Sequence, residues 1–278
     1  MGADHSRTKR LAPHPVGAVW LFGFLAAARC AGAQPALPPP DAGILDLARA
    51  YAFDYSRTLP DFICDQVVRR YREGVDPGTW TLSDTLTVRL SYYGHREDYK
   101  LVQVNNKPAA DRSYASLTGS ISEGEFGSLL RQVFEPEPST RIRFARWDAI
   151  GAQRVAVFEY RMTAAHALYA VKFVVNDERF SAVAGRRGLV YVDPSGGQAL
   201  RITSAADALP AGFPVDTLTS TLDYGPTAIG DRTFLLPRAA EVEMHAGTYL
   251  TRNTIEFRTY HKFDAGSEVS FGPAGTRH

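Results

Sequence analysis

The sequence predicts a mainly β fold of about ten to eleven antiparallel strands, packed on itself or curved, with an N-terminal helix and a second helix. Three observations predict it. Trp80, Leu82, Leu86, Val88, Leu90 and Tyr92 take even positions while Thr79, Thr81, Ser83, Thr85, Thr87 and Arg89 take odd ones, with only Asp84 interrupting. Period two over this length marks a long strand with one buried and one wet face. Further short apolar segments follow, separated by turns such as Asp193-Pro194-Ser195-Gly196-Gly197 and Ala246-Gly247. No strand-helix-strand alternation occurs, which argues against a parallel sheet.

Taken in order, the chain begins with Arg7, Lys9 and Arg10, an apolar stretch of 13 residues from Val16 to Ala28, and the small residues Ala31-Gly32-Ala33. These read as the three parts of an export signal, residues 1–33, cleaved after Ala33. The stretch is short for a membrane span, which needs about 20 residues. Cys30 follows Arg29 rather than a small residue, which argues against lipid attachment there. Residues 34–42 are a Pro-rich linker, 43–263 one β domain and 264–278 a flexible tail.

Ile44, Leu47, Ala48, Tyr51, Ala52 and Tyr55 follow helical spacing and predict a helix to Thr58, ended by Pro60. Strands are expected at Phe62–Tyr71, Trp80–Tyr92 and Asp98–Val104. Ser122 with Glu125 forms a capping box, and Phe126, Leu129, Leu130, Val133 and Phe134 continue a helix over Glu123–Phe134. Strands follow at Arg141–Ala149, Arg154–Met162, Tyr169–Val175, Leu189–Val192, Ala199–Ala205, Thr217–Tyr224, Arg238–Met244 and Tyr249–Phe263.

Composition narrows the function classes. Without residues 1–33 the chain keeps 27 Lys and Arg against 29 Asp and Glu, a formal charge of −2. A nucleic-acid partner is therefore not expected. The pairs Arg69-Arg70 and Arg186-Arg187 read as solvated strand or turn residues. Only Cys64 remains after cleavage, which excludes an intrachain disulfide and suggests a buried, inert thiol. No nucleophile elbow, zinc-helix motif, phosphate loop or dinucleotide fingerprint occurs, so no catalytic residue, metal or cofactor is assigned. Glu97 and Asp98 stand next to each other on a strand and point to opposite faces, a poor catalytic pair. Aromatic residues such as Phe158 and Tyr160 recur on successive strands, either as plain core or as the lining of an apolar cavity.

Two stretches carry a family resemblance: Leu59-Pro60-Asp61-Phe62-Ile63-Cys64-Asp65-Gln66 behind a helix, and Gly188-Leu189-Val190-Tyr191-Val192-Asp193-Pro194 with Leu200-Arg201-Ile202 and Leu235-Leu236-Pro237. In this the chain resembles the periplasmic lipoprotein-carrier (LolA-like) superfamily over Ile44–Phe263, and also a group of uncharacterised exported bacterial proteins. The resemblance implies a curved antiparallel sheet or half-open β-barrel whose second, lid-like helix helps to cover an apolar cavity that holds acyl chains. On it rests the expectation of a non-enzymatic periplasmic or secreted envelope protein whose partner is a lipid, an acyl chain or a lipidated protein. Its ligand-binding residues would be Trp80, Leu82, Leu86, Val88, Leu90, Phe126, Leu129, Leu130, Phe158 and Tyr160. The alternatives are a protein-interaction or envelope-sensor module with a filled core and, third, a hydrolase. Chain length and the 105–121 and 210–214 segments depart from the carrier pattern.

Overall fold

The structure, a computed structural model, describes residues 42–94, 96–110, 128–135, 140–167, 169–175 and 178–263. Residues 1–33, expected to be a signal peptide, most of the expected 34–42 linker, Phe126, the capping box and the expected tail 264–278 lie outside the described residues. Helix α1 (Ala42–Thr58) leads into β1 (Phe62–Glu73), β2 (Trp80–Tyr93), β3 (Arg96–Val104) and β4 (Lys107–Pro108). Helix α2 (Ser128–Phe134) precedes β5 (Thr140–Ile150), β6 (Gln153–Met162), the short α3 (Ala164–Ala167) and β7 (Tyr169–Val175). The chain continues as β8 (Glu178–Val192), β9 (Ala199–Asp207), β10 (Thr217–Ile229), β11 (Arg232–Ala246) and β12 (Tyr249–Lys262).

All the strands belong to one 12-stranded sheet with the order β4-β3-β2-β1-β12-β11-β10-β9-β8-β6-β5, β7 pairing with β8 off this path. Every recorded pairing is antiparallel, and the sheet is open rather than closed into a barrel. The expected fold class is met, with β4 as a strand the alternation did not announce. Asn105 and Asn106, at φ 51° and 62°, make the turn into it, a backbone region Asn tolerates better than most residues.

Cross-strand partners share a face, so the register separates the two sides of the sheet. The inner face carries Phe62, Cys64, Gln66 and Val68 of β1 opposite Tyr92, Leu90, Val88 and Leu86 of β2. On the other half, Phe158, Tyr160 and Met162 of β6 meet Val190, Gly188 and Arg186 of β8. One continuous core joins these positions to Ala48, Ala52 and Tyr55 of α1 and to Leu129, Leu130, Val133 and Phe134 of α2. The buried Cys64 thiol is part of it. Helix α1 approaches the β8–β9 turn so closely that a Cβ on Gly197 would lie 2.5 Å from the Leu47 carbonyl, and Gly197 itself has a φ of 71°.

The outer face carries arginine-carboxylate pairs laid across the strands: Arg69 with Glu256, Arg143 with Glu159, Arg161 with Asp207, and Arg252 with Glu243. Arg146 and Arg201 both lie over the Tyr191 ring, and Arg201 pairs in turn with Asp223. Each exposed pair contributes little by itself, about 0–1 kcal/mol. Val157, on the outer face opposite Arg146, is nevertheless fully buried.

Two expectations are corrected. The alternation of β2 places Trp80 and Leu82 with Leu86, but Asp84 pairs with Arg70 while Leu82 pairs with Tyr71, so Ser83 is an extra residue in the ladder. Such a bulge reverses the faces beyond it. Leu82 is accordingly 50% exposed, and Trp80 lies against the Arg252 guanidinium, 4.1 Å from its ring centre. The second correction concerns β8, expected from Leu189 and observed from Glu178. Its first half is poor in large apolar residues and forms by hairpin pairing with β7, with Phe173 opposite Phe180 and Val171 opposite Ala182.

Candidate functional site: the inner face beneath two helices

Of the residues the sequence singles out, Leu86, Val88, Leu90, Leu129, Leu130, Phe158 and Tyr160 are brought into one core beneath α1 and α2. Trp80 and Leu82 are not. Leu86, Val88 and Leu90 are at most 1% exposed, so this half of the face is closely packed under its helical cover. The helices are short for the work: α2 has seven described residues, four of which are buried. A shallow open groove of about 600 Å³ lies on the other side of α1, lined by Ile44, Asp46, Leu47 and Pro194 among others.

Polar groups interrupt the apolar face in four places. Arg70 and Asp84 form a mostly buried two-point ion pair at the end of the Val68–Leu86 row, with Arg70 Nε 2.6 Å from Asp84 Oδ1. The Gln66 side-chain nitrogen and the Tyr55 hydroxyl are buried with no hydrogen-bond partner. Burial drives the Tyr55 hydroxyl well above the usual tyrosine pKa, with Tyr224, Tyr51, Tyr92 and Glu97 adding to the effect. Tyr260, lifted likewise by burial, donates to the Pro237 carbonyl at 2.6 Å.

At the fourth place the sequence singles out Tyr160 but not its polar partners. Tyr160 Oη lies 2.9 Å from the Thr203 carbonyl and 2.6 Å from Ser204 Oγ, itself buried. Gly188 makes the approach possible, since a Cβ there would stand 1.9 Å from the Thr203 carbonyl oxygen. One inner-face step away, Arg186 stacks on Tyr169 at 3.9 Å from the ring centre, and its Nε is buried without a partner. The signal was the spacing of Arg186 from Gly188 and Val190, which puts all three on one face once β8 is known to extend upstream.

Burial pushes the Tyr160 hydroxyl up to about 12, the Ser204 hydrogen bond and the Arg186 charge working in the opposite direction. A pKa higher in the folded than in the unfolded chain stabilises the fold below the unfolded value, and that contribution is lost as pH rises through the folded one. Stability is therefore expected to fall between about pH 10 and about 12. Urea unfolding at about pH 9 and about pH 11.5 measures this. Tyr160→Phe should show a smaller fall than the parent, and an equal fall in both would contradict the assignment to Tyr160.

No protein-family model matches the chain, and no curated protein matches it. Solved structures do. A LolA superfamily protein from Nitrosomonas europaea, NE2245, aligns over 80% of this chain and 93% of its own at 12% identity and a TM-score of 0.38. A DUF1329 family protein from Desulfovibrio piger aligns over 83% and 96% at 12% identity and a TM-score of 0.40. LprF from Mycobacterium bovis aligns over 86% and 100% at 12% identity and a TM-score of 0.25. One of the three bears the name of the superfamily that the sequence resembles. At this identity and these TM-scores the matches describe a similarity of fold and carry no function across.

Proposed function

We propose that this chain is a non-enzymatic, exported protein of the cell envelope that binds a lipid acyl chain or a lipidated protein against the inner face of its sheet. Residues 1–33 are read as a signal peptide cleaved after Ala33. The observation that carries the reading is the mismatch, among the described residues, between a broad apolar face and its cover, since described helices of 17 and seven residues stand where a second sheet would otherwise pack. A cover of so few residues can be displaced and its buried contacts replaced by an acyl chain. A ten-carbon chain contributes roughly 8 kcal/mol of burial before ordering costs, enough for about micromolar binding.

No helix among the described residues is long and apolar enough to cross a membrane. The outer-face arginine-carboxylate rows support a sheet whose outer side meets water, because a lipid-facing strand surface is apolar.

Titration with a fluorescent fatty acid tests the reading, with Leu130→Glu as the cover variant. Saturable uptake is expected in the parent. The variant should bind at least about ten-fold more weakly while its far-ultraviolet circular dichroism is kept. A folded parent that takes up no acyl probe overturns the proposal in favour of an interaction or sensor module. The close packing around Leu86, Val88 and Leu90 favours that second reading.

A further inference from the structure

Arg186 differs from the arginines around it. Arg69, Arg89, Arg143, Arg146, Arg161, Arg201, Arg252 and Arg258 lie on the outer face, and each pairs with a carboxylate. Arg70 points inward but has Asp84. Arg186 also points inward, opposite Met162 on β6 and Ala206 on β9, and forms no ion pair with any described carboxylate. Its flanking inner-face neighbours on β8 are Ala184, which is fully buried, and Gly188, which is closed over by the Tyr160 hydroxyl, so a partner reaches the Arg186 edge only where the helical cover is displaced. Partly buried cations are ordinarily paired, because removing charge from water costs more than an apolar contact returns.

The guanidinium chemistry specifies what would pair with it. The face of the group is occupied by the Tyr169 ring, while the edge carrying Nε has no acceptor. That edge, Nε–H beside an Nη–H, is the fork that holds a carboxylate or phosphate through two parallel hydrogen bonds. The adjoining row adds the Tyr160 and Ser204 hydroxyls, and the walls are Met162, Ala184 and Val171. His166 of α3 reaches to 3.4 Å from the Gln132 carbonyl, which puts α2 of the cover next to the α3–β8 end of the face.

We propose that Arg186 is an anchor for the head of an anionic amphiphile, a single acyl chain ending in a carboxylate or a phosphate monoester, whose tail lies along the inner face. This rests on the acyl-binding reading above and narrows it to charged ligands. The direct test compares dansyl-undecanoic acid with its methyl ester on the full chain, and dodecanoate with dodecyl phosphate as competitors to separate the two head groups. The acid is expected to bind about ten-fold more tightly than the ester. Arg186→Gln should remove that preference without weakening the ester, and Arg186→Lys should keep part of it. Equal binding of acid and ester by the parent, or equal weakening of both in Arg186→Gln, overturns the anchor while leaving acyl binding in place. Binding of neither probe overturns both. The acid-ester preference of the parent decides the matter even if a variant fails to fold.

Discussion

Leu86→Asp is expected to unfold the protein at room temperature, whereas Thr87→Asp and Leu82→Asp leave it folded. Leu86 is 1% exposed, between Val68 of β1 and Val104 of β3 on the inner face. The substitution removes about 2 kcal/mol of apolar burial and adds several more for a carboxylate without a partner. That sum is comparable to the whole stability of many domains, about 5–15 kcal/mol. Thr87, one residue on, lies on the outer face, where a surface change costs about 0.5 kcal/mol or less. Leu82 is the discriminating arm, because simple alternation places it beside Leu86 and the Ser83 bulge turns it away. Thermal melts followed by circular dichroism separate the three. Equal damage from Leu82→Asp and Leu86→Asp would refute the bulge, and equal tolerance of Leu86→Asp and Thr87→Asp would refute the inner face.

Gly188→Ala should cost at least about 3 kcal/mol, although it adds one methyl group. The added carbon would stand 1.9 Å from the Thr203 carbonyl oxygen and 3.0 Å from the Tyr160 hydroxyl. A flexible side chain could rotate aside, but the first obstacle is the backbone of β9, paired to β8 along the whole stretch from Gly185 to Val192. Relief therefore requires strand separation and breaks the Tyr160–Ser204 contact. Urea unfolding measures the loss, and a variant as stable as the parent would show that the strands do not approach this closely.

What the sequence made legible follows from periodicity. The run from Leu86 to Tyr92 revealed its buried face because apolar and polar residues alternate without interruption. The Ser83 bulge left one mark, Asp84 at an even position, and a single polar residue reads equally well as a break in one unbroken face, so its faces were assigned without the reversal. The first half of β8 escaped because Ser181, Ala182, Ala184, Gly185 and Gly188 have little intrinsic strand preference. There, pairing with a neighbour decides the conformation. The same omission hid the candidate anchor. Arg186-Arg187 read as two solvated cations, yet adjacent strand residues face opposite ways: Arg187 faces outward, 3.8 Å from Asp207, and Arg186 faces in. Arg69-Arg70 divides likewise, Arg69 to Glu256 outside and Arg70 to Asp84 inside.

The order of the sheet also governs how the chain reaches its native state. β1, the first strand, lies in the middle of the sheet with the last strand, β12, as its neighbour, so that Arg69 meets Glu256 across 187 residues of sequence. A chain emerging from its N-terminus, from a ribosome or through a translocation pore, can join β1 to β2 early. It cannot join that hairpin to the rest of the sheet until residue 262 has emerged. Closing so large a loop before its contacts form is slow, and sheets built from such distant pairings fold in milliseconds to seconds. Until then both halves expose unpaired strand edges, a window in which a holding chaperone would find its substrate.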